Sequence, residues 1–209
     1  MKLQIENLGV KRGEEMILSA LNIVVSGGQA LIVRGANGAG KSTLLRAIAG
    51  LLPHESGRVV LENADPEFAG ATVPELCHYL GGDNAMKSAM SVAENLEFWQ
   101  QFSGQPHLDI DVALDMVGLD GLQSVPFGHL STGQRRRIGI ARLLVSYRPI
   151  WILDEPVSGL DAASEEQFSD LMKVHLEDGG LIVAATHVPL GLNDAKVLTL
   201  DGHSAELDQ

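Results

Sequence analysis

Apolar residues fall in short runs along this chain, and the spacing of the runs changes from segment to segment. Leu3, Ile5 and Leu8 space out as one face of an opening strand, and residues 17–25 read as a second, joined through a turn at 13–15. Residues 30–33 form a compact apolar strand leading into a glycine-rich loop, and 41–51 then take a helical period. Further short strands are predicted at 57–61 and 77–80. Ser91 with Glu94 makes a capping box that opens a helix running through Leu96, Phe98 and Trp99 to Phe102. Residues 109–117 and 132–147 are also helical by spacing. Residues 150–153 and 181–185 are continuous apolar runs of buried-strand type, separated by a helix from 162 to about 177; 196–200 closes the set. Strands alternating with helices predict an α/β fold. A helical insert is expected across roughly 84–140, within one domain spanning 1–209.

Composition narrows the class. The formal net charge is −12, which disfavours nucleic-acid backbones and anionic lipid surfaces alike. With 4% aromatics the core is expected to be mainly Leu, Ile, Val and Ala. The single cysteine, Cys77, can form neither an internal disulfide nor a thiolate cluster, as expected in a reducing compartment. No run approaches the 18 apolar residues of a membrane span, and the first ten residues hold no continuous apolar stretch of targeting type. There are 23 glycines, a share above the usual ~7%.

Three of those glycines stand in Gly35-Ala36-Asn37-Gly38-Ala39-Gly40-Lys41-Ser42-Thr43, a match to G-x-x-x-x-G-K-[ST] between a strand and a helix. Such a loop turns backbone N–H groups towards phosphate oxygens, and the helix that follows adds its positive N-terminal end. Lys41 is the group to reach the terminal phosphates, and the Ser42 hydroxyl is a ligand for Mg²⁺. The strand at 150–153 runs into Asp154-Glu155. A carboxylate there lies at the ligand-binding edge of a parallel sheet, so Asp154 is a second metal candidate and Glu155 a candidate base for an attacking water.

Three more motifs follow: Leu130-Ser131-Thr132-Gly133-Gln134 before an arginine-rich helix, Ser158-Gly159-Leu160-Asp161, and Thr186-His187 at the end of a strand. Arg135 and Arg136 read on balance as the solvated face of their helix. Taken in chain order (35–43, 130–134, 149–156, 158–161, 186–187), the five motifs resemble the ATP-binding cassette (ABC) family over nearly the whole chain. That resemblance implies a P-loop cassette with a mixed sheet core, an antiparallel β edge and a helical subdomain. It implies ATP and Mg²⁺ as ligands, and catalytic roles for Lys41, Glu155 and His187. Ser131, Gly133, Gln134 and Asp161 are then expected to face nucleotide held by a second copy. Thr132 departs from the family's usual glycine, and is compatible if its φ is negative. The family's stacking aromatic is absent before the loop, leaving Arg12, or Lys11 beside it, to cover the adenine. The family's glutamine that meets Mg²⁺ and the membrane partner is also absent; Asp83 or Asn84 takes its place.

Residues 79–87, the 92–99 segment and Ala185-Thr186-His187-Val188-Pro189-Leu190 resemble the ATP-binding subunits of bacterial haem exporters of cytochrome c maturation. The resemblance implies a subunit bound to small integral membrane subunits at the cytoplasmic face of the inner membrane, meeting the bilayer only through them and driving haem handling. Cys77, His78, Met86 and Met90 read as packing residues. An ATPase of another exporter (lipid, polysaccharide or drug) stays open, as does a soluble non-transport cassette. A GTPase is excluded for want of an N-K-x-D sequence.

Overall fold

The computed structural model describes residues 1–62, 64–201 and 205–208. The elements in chain order are β1 (Lys2–Arg12), β2 (Glu15–Ser26), β3 (Ala30–Gly35), α1 (Lys41–Ile48), β4 (Ser56–Glu62), α2 (Val73–Leu76) and β5 (Cys77–Leu80). They continue as α3 (Val92–Ser103), α4 (Ile110–Asp115), α5 (Thr132–Val145), β6 (Ile150–Asp154), α6 (Ala162–Glu177), β7 (Leu181–Ala185), β8 (Lys196–Leu200) and β9 (Ala205–Asp208). The chain divides into two compact units. The first comprises Met1–Tyr79, Pro149–Pro156 and Met172–Gln209, and the second Leu80–Arg148 and Val157–Leu171.

The first unit holds two sheets. One is antiparallel, in the order β2-β1-β4, and the other is six-stranded, in the order β5-β6-β7-β3-β8-β9. In the latter β6, β7, β3 and β8 run parallel, while β9 returns antiparallel on β8. All five residues of β6 and of β7 are buried, which is why both read as unbroken apolar runs. Leu3, Ile5, Ile23 and Val25 from one sheet, Leu31, Val33, Ile152 and Val183 from the other, and Leu44, Leu45 and Ile48 of α1 belong to one buried cluster. It is built of aliphatic side chains, as the shortage of aromatics predicts.

The second unit is mainly helical. Ser91 Oγ accepts from the Glu94 amide while the Glu94 carboxylate accepts from the Ser91 amide, so α3 opens on a reciprocal cap. Buried Asn95 fastens the segment before it, accepting from the Lys87 amide and donating to the carbonyls of Lys87, Met90 and Ser91. The arginines of α5 depart from the expected solvated face. Arg136 is buried and donates to the Gly81 carbonyl, and Arg135 donates to that of Gly128. Both arginines thus tie loop carbonyls to α5 rather than facing solvent. Arg142, also buried, lies 4.6 Å from the centre of the Trp99 ring, and burial pulls its guanidinium down to a pKa of about 10.

Several boundaries differ from the spacing. The helix at 41–51 stops at Ile48, followed by Gly50 in the left-handed region, and that at 132–147 stops at Val145. Helix α2 and strand β9 are additional, each only four residues long. No helix among the described residues is long and apolar enough to cross a membrane.

Candidate nucleotide-binding site

The loop Gly35–Gly40 leaves the C-terminal end of β3 and enters α1. Two of its glycines are required by their surroundings. A Cβ on Gly35, at φ +145°, would collide with the Leu200 carbonyl oxygen, and one on Gly40, at φ +101°, would stand 2.9 Å from Ile17. The second contact sets the start of β2 against the loop. Arg12, opposite Glu15 at the end of the β1–β2 hairpin, is exposed. Lys41 is only 8% exposed, and its Nζ donates to the carbonyls of Gly35 at 2.8 Å and Ala36 at 3.1 Å. Its ammonium group thus lies inside the turn made by the loop. Asn37, Gly38 and Ala39 complete that turn, and Thr43 follows Ser42 in the first turn of α1.

Ser42 Oγ donates to Asp154 Oδ1 at 3.0 Å, joining residues 112 positions apart. Asp154 ends β6 and is 8% exposed. A hydroxyl and a carboxylate at this distance are hard oxygen donors of the kind that hold magnesium. Among the described residues no three His, Cys, Asp or Glu side chains converge. Ser42 and Asp154 present two oxygens on one edge, which suits an ion that shares its shell with phosphate and water. The other oxygen, Oδ2, accepts from the Tyr79 hydroxyl at 3.2 Å, and that hydroxyl accepts from Arg46 Nε at 3.4 Å. Burial is the chief cause that pushes the Tyr79 phenol above its ordinary pKa, keeping it a proton donor at neutral pH. The sequence marks Tyr79 only as the first residue of the 79–87 stretch, with no role assigned to its hydroxyl, and Arg46 only as lying one helical turn after Ser42.

Glu155 has φ +46°, a left-handed conformation unusual for a side-chain-bearing residue, and its amide donates to the Ala185 carbonyl at 2.9 Å. This turn at the strand end aims the carboxylate at His187, whose Nε2 is 3.5 Å from Glu155 Oε1. His187 follows Thr186, which is fully buried and whose hydroxyl accepts from the Val188 amide at 3.1 Å. The local turn fixes where the histidine leaves β7.

The remaining motif residues lie in the second unit. Ser131 caps α5, with its Oγ accepting from the Gln134 amide at 3.2 Å and Gln134 Oε1 accepting from the Ser131 amide at 2.9 Å. Thr132 is the first helical residue, so its φ is negative and its methyl group is accommodated. Gly133 is packed closely enough that a Cβ would lie 3.2 Å from the Gly159 carbonyl oxygen. Asp161 Oδ1 accepts from the Ser164 amide at 2.8 Å at the start of α6, and that bond holds its carboxyl below the usual range. Asp83 is exposed in the bend after β5 and, like these, belongs to the second unit rather than to that of Ser42 and Asp154.

Fold and loop together define a P-loop nucleotide-binding domain. A family model described as ABC transporter matches residues 18–158, and the chain belongs to that family, as an ATP-hydrolysing domain with the ABC nucleotide-binding fold. It is 55% identical over 197 residues to the cytochrome c biogenesis ATP-binding export protein CcmA of Mesorhizobium japonicum, covering 94% of this chain and 97% of that protein. Over 208 residues it is 53% identical to the protein of the same name from Brucella melitensis, covering 100% of this chain and 95% of that one. Among solved structures, a dimeric ATP-binding cassette in a post-hydrolysis state bound to ADP and Pi superposes with a TM-score of 0.80. It is 24% identical, covering 99% of this chain and 98% of that one, a likeness of fold.

Proposed function

We propose that this chain is the ATP-hydrolysing subunit of an exporter of cytochrome c biogenesis, at the cytoplasmic face of the inner membrane. The observation that carries the reading is identity above 50% along nearly the full length of two proteins so named. Its substrate is ATP, cradled by the amides of residues 35–43 with the Lys41 ammonium directed at the β- and γ-phosphates. Magnesium on the Ser42–Asp154 edge would neutralise charge on the phosphate oxygens. Glu155 accepts a hydrogen bond from the attacking water and draws off its proton, while His187 fixes the carboxylate and faces the γ-phosphate. Arg12 is assigned to the adenine face.

In this reading the chain is one cassette with a helical subdomain about residues 84–140, and two copies close over two ATP molecules. The second copy contributes Ser131, Gly133 and Gln134, because the N-terminal end of α5 is a donor-rich, positive pole suited to a phosphate. Asp161 lies beside that contact. Integral membrane subunits complete the exporter, with haem or haem-chaperone handling as the energised step. The exposed, stacked rings of Phe98 and Phe102 on α3 support such a partner, as does Asp83 in the place of the family's partner-facing, magnesium-sensing glutamine.

Deleting the gene from its host and scoring covalently bound haem in c-type cytochromes tests the reading. We expect those cytochromes to be lost and restored by the wild-type chain but not by Glu155→Gln. Undiminished c-type cytochromes in the deletion strain would instead assign the ATPase to another exporter.

A further inference from the structure

Both carboxylate oxygens of Asp154 are engaged by hydroxyl groups, and only one of those hydroxyls belongs to the phosphate loop. Ser42 donates to Oδ1 and Tyr79 to Oδ2. Tyr79 comes from β5, which lies beside β6 in the sheet. The strand alternates, with His78 and Leu80 buried and Cys77 and Tyr79 half-buried, so the phenol stands on the opposite face from His78 and Leu80. Its oxygen also accepts from Arg46, which follows Ser42 by one helical turn on α1. One face of α1 therefore reaches both oxygens, Oδ1 directly through Ser42 and Oδ2 through Arg46 and Tyr79.

A carboxylate turns about its terminal torsion in a broad, two-fold well, so a single hydrogen bond leaves its plane free to swing. Two donors on opposite oxygens fix that plane. A ligand held in its binding orientation in advance loses less entropy when the ion arrives, and groups that orient metal ligands are worth about 10- to 100-fold in metal affinity. We propose that Tyr79, braced by Arg46, is a positioning residue that sets the Asp154 carboxylate plane and keeps the Oδ1–Ser42 edge turned towards magnesium. The proposal rests on the reading of Asp154 and Ser42 as the magnesium edge.

The test is a pair of calorimetric titrations of the full chain with ADP, one in EDTA and one in excess Mg²⁺, for wild type, Tyr79→Phe and Arg46→Ala. Tyr79→Phe removes one oxygen and keeps the ring. We expect its ADP affinity in EDTA to match wild type, and its affinity for MgADP to fall roughly 10- to 100-fold. Arg46→Ala is expected to show a smaller loss confined to the magnesium arm. A Tyr79→Phe protein that gains as much from magnesium as wild type would overturn the role of Tyr79 alone. An equal loss in both arms would also overturn it, because damage to the loop would then explain the result. If the wild-type chain itself gains nothing from magnesium, the assignment of Asp154 falls, and that of Tyr79 with it.

Discussion

Lys41 shows how one side chain serves both the fold and the site. Its ammonium is held inside the loop by two backbone carbonyls, and in the proposed reading it turns from them to phosphate oxygens. Lys41→Ala removes the only side-chain charge in the 35–43 loop. Tight ATP binding should be lost, and a titration that finds unchanged nucleotide affinity would contradict the phosphate-cradle reading. His175 illustrates the opposite case, a titratable group that serves packing. It is buried, its ring lies 4.1 Å from that of Trp151, and burial pulls its pKa down from 6.5 to about 4. The unfolded chain therefore takes up a proton below pH 6.5 that the folded chain refuses until about pH 4. Stability must fall as pH drops through that window, by about 2 kcal/mol between pH 7 and pH 5 from this residue. Denaturant titrations at the two pH values should show that loss in wild type and a smaller one in His175→Phe. Equal losses in both proteins would remove His175 from the account.

At the scale of elements, the cap of α5 joins stability to the proposed function. Ser131→Ala deletes one half of a reciprocal cap and is expected to cost about 1 kcal/mol of stability. In the two-copy reading it should also slow hydrolysis, while leaving ATP affinity at the Lys41 loop of an isolated chain unchanged. A hydrolysis rate equal to wild type would argue against that role for the α5 N-terminus. The elements also show what the amino-acid pattern conveys and where it stops. The α/β class, the run of β6 and β7, the bounds of α6 and the Ser91–Glu94 cap were all legible, because each rests on local periodicity or a local side-chain bond. Strand β9 was not, since four residues of mixed character have no period to read. The burial of Arg136 was hidden because its partner, the Gly81 carbonyl, comes from 55 residues away. In the site, the motif residues carried their own spacing signature, and the structure brings Ser42 to Asp154 and Glu155 to His187. The contact of Tyr79 and Arg46 with Asp154 was not legible, because only the sheet order, with β5 beside β6, brings Tyr79 to that carboxylate. The left-handed turn at Glu155 likewise has no glycine to announce it.

On the scale of the whole molecule, the net charge of −12 and the phosphate site are compatible because they act over different distances. Screening limits the global charge to about a Debye length, whereas amides, one lysine and the α1 N-terminus act at contact range. In the proposed ATP cycle two copies close and Glu155 activates the attacking water. Glu155→Gln keeps size and hydrogen bonding but removes the base, so it should trap ATP between paired chains. In light scattering with MgATP this variant is expected at twice the mass of the single chain, and a single-chain mass would speak against the sandwich. The central claim concerns the chemistry itself and is tested most directly by single-turnover hydrolysis of MgATP by wild type and Glu155→Gln. A fall in the rate constant of about 10²- to 10⁴-fold, with ATP still bound, is the predicted result. Hydrolysis at the wild-type rate in the variant would contradict the assignment of Glu155 as the group that activates water.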